Sequence, residues 1–128
     1  MTFVSFASGS SGNCYLLTEE RAAVLLDTGI SLRRIKTGLA RRALTPDDLS
    51  AVLITHEHSD HVAGLPMLLK YYKNVKVYAP QTVAHALERA AAGLEGRIVP
   101  IPVGESVALK NFTLTAFPTM HDTPESVG

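Results

Sequence analysis

The stretch "VLITHEHSDHVAGL", Val52 to Leu65, places three histidines, a glutamate and an aspartate within six residues, directly after an apolar run of strand character. In extended chain alternate side chains share a side, so His56 and His58 can converge on one point. Asp60 and His61, where the next helix is expected to begin, can face a second. Imidazole nitrogens suit Zn2+ and other first-row divalent ions, and a carboxylate adds charge balance and an acceptor for metal-bound water. The helical two-histidine pattern HExxH does not apply, because Asp60 stands where its second histidine belongs and the context is extended. Four ligand-capable residues after a buried strand are costly unless bound or hydrogen-bonded. A two-metal site accounts for their spacing.

The flanking sequence alternates strands and helices. Upstream, "FVSF", "CYLL" and "AAVLLDTG" are apolar runs separated by Gly, Ser and Asn, which predicts an opening β-meander whose third strand is closed by Asp27 and Gly29. "SLRRIKTGLARRAL" then sets Ile30, Ile35, Leu39 and Ala43 roughly on one face, with Ser31 as N-cap and Gly38 as a weak point, and predicts an amphipathic helix. "TPDDLS" gives a very short helical start with Thr45 capping and Pro46 at its first position, and "AVLIT" is the strand that delivers the histidines. Downstream, "VAGLPMLLKYYK" reads as a helix despite Gly64 and Pro66, "VKVYA" as a strand, and "PQTVAHALERAAA" as a helix ended by Gly93. "SVALKNFTLTAFPT" reads as a hairpin turning at Lys110 and Asn111, after which the chain presents "MHDTPESVG".

Composition narrows the class. A chain of 128 residues that is 46% hydrophobic can bury a core, and one domain over residues 1–128 is expected. The formal charge is zero, so any polyanionic partner has to be held by a local patch. A single cysteine, Cys14, rules out an intrachain disulfide and a CxxC motif, fits a reducing cytoplasmic setting, and reads as a small buried hydrophobe. The N-terminus has no signal-peptide pattern and no apolar run approaches membrane-spanning length, so no membrane partner is expected.

The motif "THEHSDHVAGL" resembles the HxHxDH signature of the metallo-β-lactamase superfamily, and "LLDTG" and "HDTPESVG" resemble its aspartate-ended strand and its third metal motif. More narrowly, "FASGSSGNCYLL" together with the late "HD" is similar to the YycJ/WalJ group of nucleases with that fold. The resemblance implies an α/β fold, a four-layer αβ/βα sandwich of which this chain supplies roughly the N-terminal half, with the metals at the sheet edge. It implies that His56, His58 and His121 bind one ion, that Asp60 and His61 bind a second, and that Asp27 is structural, either holding the metal loop or simply turning the chain. The family's fourth and fifth motifs, a bridging Asp and a late His, have no counterpart before Gly128, so the chain is expected to be a truncated portion. The inner faces of "AVLIT" and "FTLTAF" are then expected to lack cover and to need the missing C-terminal half or a second copy.

The chemistry implied is hydrolysis by two divalent ions, Zn2+ or Mn2+, which at roughly 3.5–4 Å separation lower the pKa of a shared water. In that reading Asp60 orients the attacking oxygen and accepts its proton, and Glu57 accepts an imidazole N–H. The loop Ser8, Gly9, Ser10, Ser11, Gly12 and Asn13 is either an ordinary turn or a cradle for an anionic substrate, and no P-loop lysine follows it. Arg33, Arg34, Lys36, Arg41 and Arg42, a basic run without an acid, is either a solvated face or a nucleic-acid contact. The expected function is a metal-dependent phosphodiesterase, a DNA exonuclease as the subgroup resemblance implies. The alternatives are another hydrolase of the fold, acting on a thioester, lactone or β-lactam, and a half-domain inactive by itself.

Overall fold

The computed structural model describes residues 2–9, 12–20, 22–56, 62–90, 94, 96–102, 104–109 and 112–115. β2 (Cys14–Glu19) buries Cys14 and Leu16 completely and leaves Tyr15 and Leu17 half-buried, the period-two pattern of a strand. It pairs antiparallel with β1 (Thr2–Ala7) on one side and β3 (Ala22–Leu26) on the other, as the meander reading expects. From β3 onward the pairing is parallel: β4 (Ala51–Leu53), β5 (Val77–Pro80) and β6 (Ile98–Ile101) join in chain order, giving a six-stranded sheet β1-β2-β3-β4-β5-β6. A separate two-stranded sheet pairs β7 (Ser106–Leu109) with β8 (Phe112–Thr115), Leu109 opposite Phe112. The expected turn at Lys110 and Asn111 lies outside the described residues.

Among the described residues three α-helices connect the parallel strands: α1 (Leu32–Ala40), α2 (Leu65–Tyr71) and α3 (Gln81–Ala90). Because the strands are added in one direction and parallel crossovers are right-handed, all three helices fall on the same face of the sheet. The core between them is one continuous apolar cluster, with Leu16, Leu25, Val52 and Val77 from the strands and Ile35, Leu39, Leu68 and Val83 from the helices. Gly64 caps α2 and Pro66 lies in its first turn, where a missing N–H leaves no helical bond unmade. At the other end of α2 the Arg97 guanidinium donates to the carbonyls of Leu69 (2.9 Å) and Tyr72 (3.2 Å), tying the helix terminus to the start of β6. No helix among the described residues is long and apolar enough to cross a membrane.

Three features depart from the sequence expectations. Ala43 is not on the buried face of α1. The helix ends at Ala40, and Ala43 is exposed with φ 59°, in the left-handed region, while Leu44 N–H bonds back to the Leu39 carbonyl at 3.0 Å. That position is normally glycine, so Ala43→Gly is expected to raise the unfolding free energy by roughly 0.5–1 kcal/mol, read by urea denaturation. β6 was not among the expected strands; Pro100 within "RIVPI" is tolerated because β6 is an edge strand and the proline needs no N–H partner there. Finally, the face of "AVLIT" turned away from the helix-side cluster is covered only in part: Ala51 is fully buried, as are Ala22 and Val24, whereas Leu53 and its partner Leu26 are half-buried. Exposure of the sheet is greatest at its margins, where Phe3 is 58% and Val99 42% exposed. The side chains of "FTLTAF" lie outside the described residues.

Candidate metal centre

β3 and β4 run parallel and finish together, and the site is built at their carboxyl ends, where open α/β sheets place ligands. Asp27 N–H donates to the Leu53 carbonyl at 2.7 Å, which carries the pairing one residue past β3. There the backbone turns to φ 61°, a conformation aspartate tolerates better than most residues, and the side chain is 3% exposed. The turn aims the carboxylate at the first residues beyond β4. Oδ1 accepts from the Thr55 N–H at 2.8 Å and from its hydroxyl at 3.2 Å, and Oδ2 lies 2.8 Å from the same hydroxyl.

Thr55 Oγ1 is also 2.9 Å from His56 Nδ1. A threonine hydroxyl has one hydrogen. Directed to the Asp27 carboxylate, it leaves Oγ1 as acceptor, so the hydrogen bond requires Nδ1 of His56 to carry the ring proton. In the neutral ring Nε2 is then the unprotonated nitrogen, which is the form of imidazole that binds a metal. The sequence reading missed Thr55. Its signal was a hydroxyl residue one position ahead of His56 and in parallel register just past the aspartate-ended strand.

Two further contacts hold the surrounding loops. Gly64 N–H donates to the Thr28 carbonyl at 2.7 Å, and Gly29 N–H to the Asn13 carbonyl at 2.8 Å. Both need glycine neighbours: a Cβ on Gly64 would run into the Ile30 carbonyl oxygen, and one on Gly12 would lie 2.6 Å from the Gly29 oxygen. Gly12 and Asn13 are thereby packed against the turn that carries Asp27. Gly9 N–H is bonded to Asn13 Oδ1 at 3.2 Å and Gly12 N–H to the Gly9 carbonyl at 3.3 Å. These two amides are engaged within the turn, where the asparagine side chain accepts from one of them. Ser10 and Ser11 lie outside the described residues, and Ser8 is exposed.

Of the expected ligands, His56 stands half-buried at the end of the hydrogen-bond chain, while His58, Asp60, His61 and His121, with Glu57, lie outside the described residues. Among the described residues no three His, Cys, Asp or Glu side chains gather as a metal site. Asp122 is likewise outside them, and His85 is exposed on α3. Cys14, close to this end of the sheet, is fully buried, and burial first and the nearby Asp27 charge second push its thiol up to about 12. The sign follows: the thiol stays neutral when folded and ionises near 9 when unfolded, so its contribution to stability is complete below pH 9 and is lost as pH rises toward 12. At pH 8 Cys14 is expected to resist iodoacetamide in the folded protein and to be alkylated within minutes in denaturant, followed by mass spectrometry.

Residues 7–127 match the family model described as the metallo-beta-lactamase superfamily. The chain is similar to the exodeoxyribonuclease WalJ of Streptococcus pneumoniae, 42% identical over 84 residues, covering 66% of this chain and 31% of the relative. It is similar to the exodeoxyribonuclease YycJ of Bacillus anthracis, 30% identical over 125 residues, covering 96% of this chain and 47% of the relative. Its fold matches the structure of the MIM-2 metallo-beta-lactamase with a TM-score of 0.75 at 26% identity, over 98% of this chain and 51% of that one. The chain thus spans less than half the length of these curated relatives.

Proposed function

Because the chain belongs to the metallo-beta-lactamase superfamily, we propose that it carries the metal-holding part of a hydrolase that cleaves phosphodiester bonds in DNA, acting as an exonuclease. The observation that carries this reading is the Asp27–Thr55–His56 hydrogen-bond chain, which presents Nε2 of His56 in its metal-binding form at the strand ends. The similarity to two exodeoxyribonucleases supports the substrate.

The donor chemistry fits a divalent ion of the kind the fold family uses, since a neutral imidazole oriented through a hydroxyl by a buried carboxylate is how proteins fix a metal-binding histidine. In this reading His56, with His58 and His121, holds one ion, and Asp60 and His61 hold a second; Zn2+ and Mn2+ both suit that set. When bound, the ions would supply a water of lowered pKa and charge to offset the phosphate oxygens. Asp60 is assigned the proton from that water. Asp27 and Thr55 touch no substrate; they set the position and tautomer of His56. Further polypeptide of the same fold is proposed to cover the sheet margin at Phe3 and Val99.

The test is reconstitution of the metal-free protein with Zn2+ or Mn2+, followed by end-labelled DNA and a nitrophenyl phosphodiester. Nucleotide release that appears with metal, disappears with chelator and returns on re-addition is the expected result. A second reading, hydrolysis of an acyl substrate such as a β-lactam or thioester, is favoured by the likeness to MIM-2. Turnover of a β-lactam or thioester, with none of DNA, would replace the first reading by the second.

A further inference from the structure

We infer that the cleft between β1 and α1 is a track for the sugar–phosphate backbone of single-stranded nucleic acid. The inference rests on the nuclease reading only for the identity of the polyanion. The cleft has a volume of about 350 Å³ and is lined by Ser5 and Phe6 from the edge strand and by Arg33, Arg34, Arg41 and Arg42 from the helix and its C-terminal turn. Among the described residues no Asp or Glu lines it, and α1 itself contains none. Four guanidinium groups gathered without a carboxylate repel one another, and a strand of phosphates offsets that repulsion while releasing its own counterions.

The cleft is built rather than incidental. Gly38 lets α1 lie directly on Phe6: a Cβ there would come within 2.7 to 2.9 Å of the Phe6 ring. Arg42 is then pinned over that ring, 5.7 Å from its centroid, with Nη1 bonded to the Gly38 carbonyl at 3.0 Å. Cation and aromatic are thereby preorganised side by side, the pairing with which single-strand binding proteins hold backbone and base. The close approach of Gly38 to Phe6 sets the spacing between α1 and β1 along the cleft.

Direction follows from topology. β1 is antiparallel to β2, and β2 to β3, so β1 runs with β3, and its last residues lie at the same end of the sheet as Asp27. α1 begins at that end, with Arg33 and Arg34 nearest the metal centre and Arg41 and Arg42 farthest from it. At 1.5 Å per residue the arginines span about 14 Å, enough for several successive phosphates of one strand. A cleft this small does not admit a duplex, which commits the inference to single strands.

The test is anisotropy of fluorescein-labelled oligothymidylate with the intact protein in chelator, so that no cleavage intervenes, across a salt series. The triple variant Arg33→Gln/Arg34→Gln/Arg41→Gln is expected to bind at least about tenfold more weakly, with a log–log salt slope shallower by about 2, from three contacts at roughly 0.7 each. A charge-matched variant with Lys70→Gln, Lys73→Gln and Lys76→Gln, on the exposed end of α2 and beyond, should bind as the parent does. Circular dichroism confirms that both variants are folded. Equal losses in the two variants, no loss in either, or arginine-dependent binding to phosphatidylglycerol vesicles without binding to the oligonucleotide would each overturn the inference. Arginine-dependent binding in a protein that releases no nucleotide with any metal would leave the cleft standing and remove the nuclease reading. Nucleotide release with arginine-independent binding would do the reverse.

Discussion

Asp27→Asn is expected to lower metal affinity by roughly 100-fold, the upper end of what residues behind a ligand contribute, without removing a ligand. Asparagine keeps the backbone at φ 61° and keeps Oδ1 as acceptor for Thr55 N–H, because turning the amide nitrogen toward that N–H would set donor against donor. The amide NH2 then occupies the place of Oδ2 and donates to Thr55 Oγ1. The hydroxyl must send its only hydrogen the other way, to Nδ1 of His56, and the ring proton moves to Nε2. The nitrogen that should hold the ion is now capped by hydrogen. Two measurements check this. Zinc competition titration should show the affinity loss, and nitrogen-15 imidazole spectra of the metal-free protein should show the His56 proton exchanging sides. An unchanged tautomer with unchanged affinity would mean that Thr55 does not relay the charge of Asp27. Thr55→Val, which deletes the relay but reverses nothing, should sit between, at about tenfold.

Gly64→Ala is expected to destabilise the fold by about 3 kcal/mol, with a melting temperature lower by about 10 °C. The conformation at Gly64 is ordinary, with φ −89°, so the effect is one of space alone. An added Cβ meets the Ile30 carbonyl oxygen, with the Thr28 oxygen 3.2 Å away, and backbone atoms cannot rotate aside as a side chain can. The Gly64 N–H to Thr28 bond, 2.7 Å, is the link that any such shift would stretch first. Because this link joins the turn after β3 to the start of α2, metal affinity should fall together with stability. Gly96→Ala is the control: φ is 76° with open space around it, so only conformational strain applies, about 1 kcal/mol. Equal melting temperatures for the two variants would show that packing at Gly64 is looser than described.

The alternation of strands and helices was legible because burial imposes a period on the sequence: every second residue in β2, one stripe on α1. Pro66 was legible only as an interruption that the helix survives, although it lies in the first turn, where no N–H is needed. β6 was not, because whether a proline breaks a strand depends on the strand having a free edge, and edges exist only once the sheet is assembled. Ala43 failed likewise: its helical period is intact in the sequence, but the chain must turn there to return to β4.

By itself the sequence determined which side chains can bind a metal and that His56 stands at a strand end, since both follow from residue chemistry and a two-residue period. It also showed that α1 is basic. Tertiary structure decided the hydrogen-bond partner of His56 Nδ1, a hydroxyl bound to a carboxylate 28 residues earlier, and set exposed Arg33, Arg34, Arg41 and Arg42 along one cleft, beside a glycine that lets a helix rest on Phe6. Both depend on distances of about 3 Å between residues far apart in the chain, and such distances are set by parallel register and packing, which no local pattern encodes.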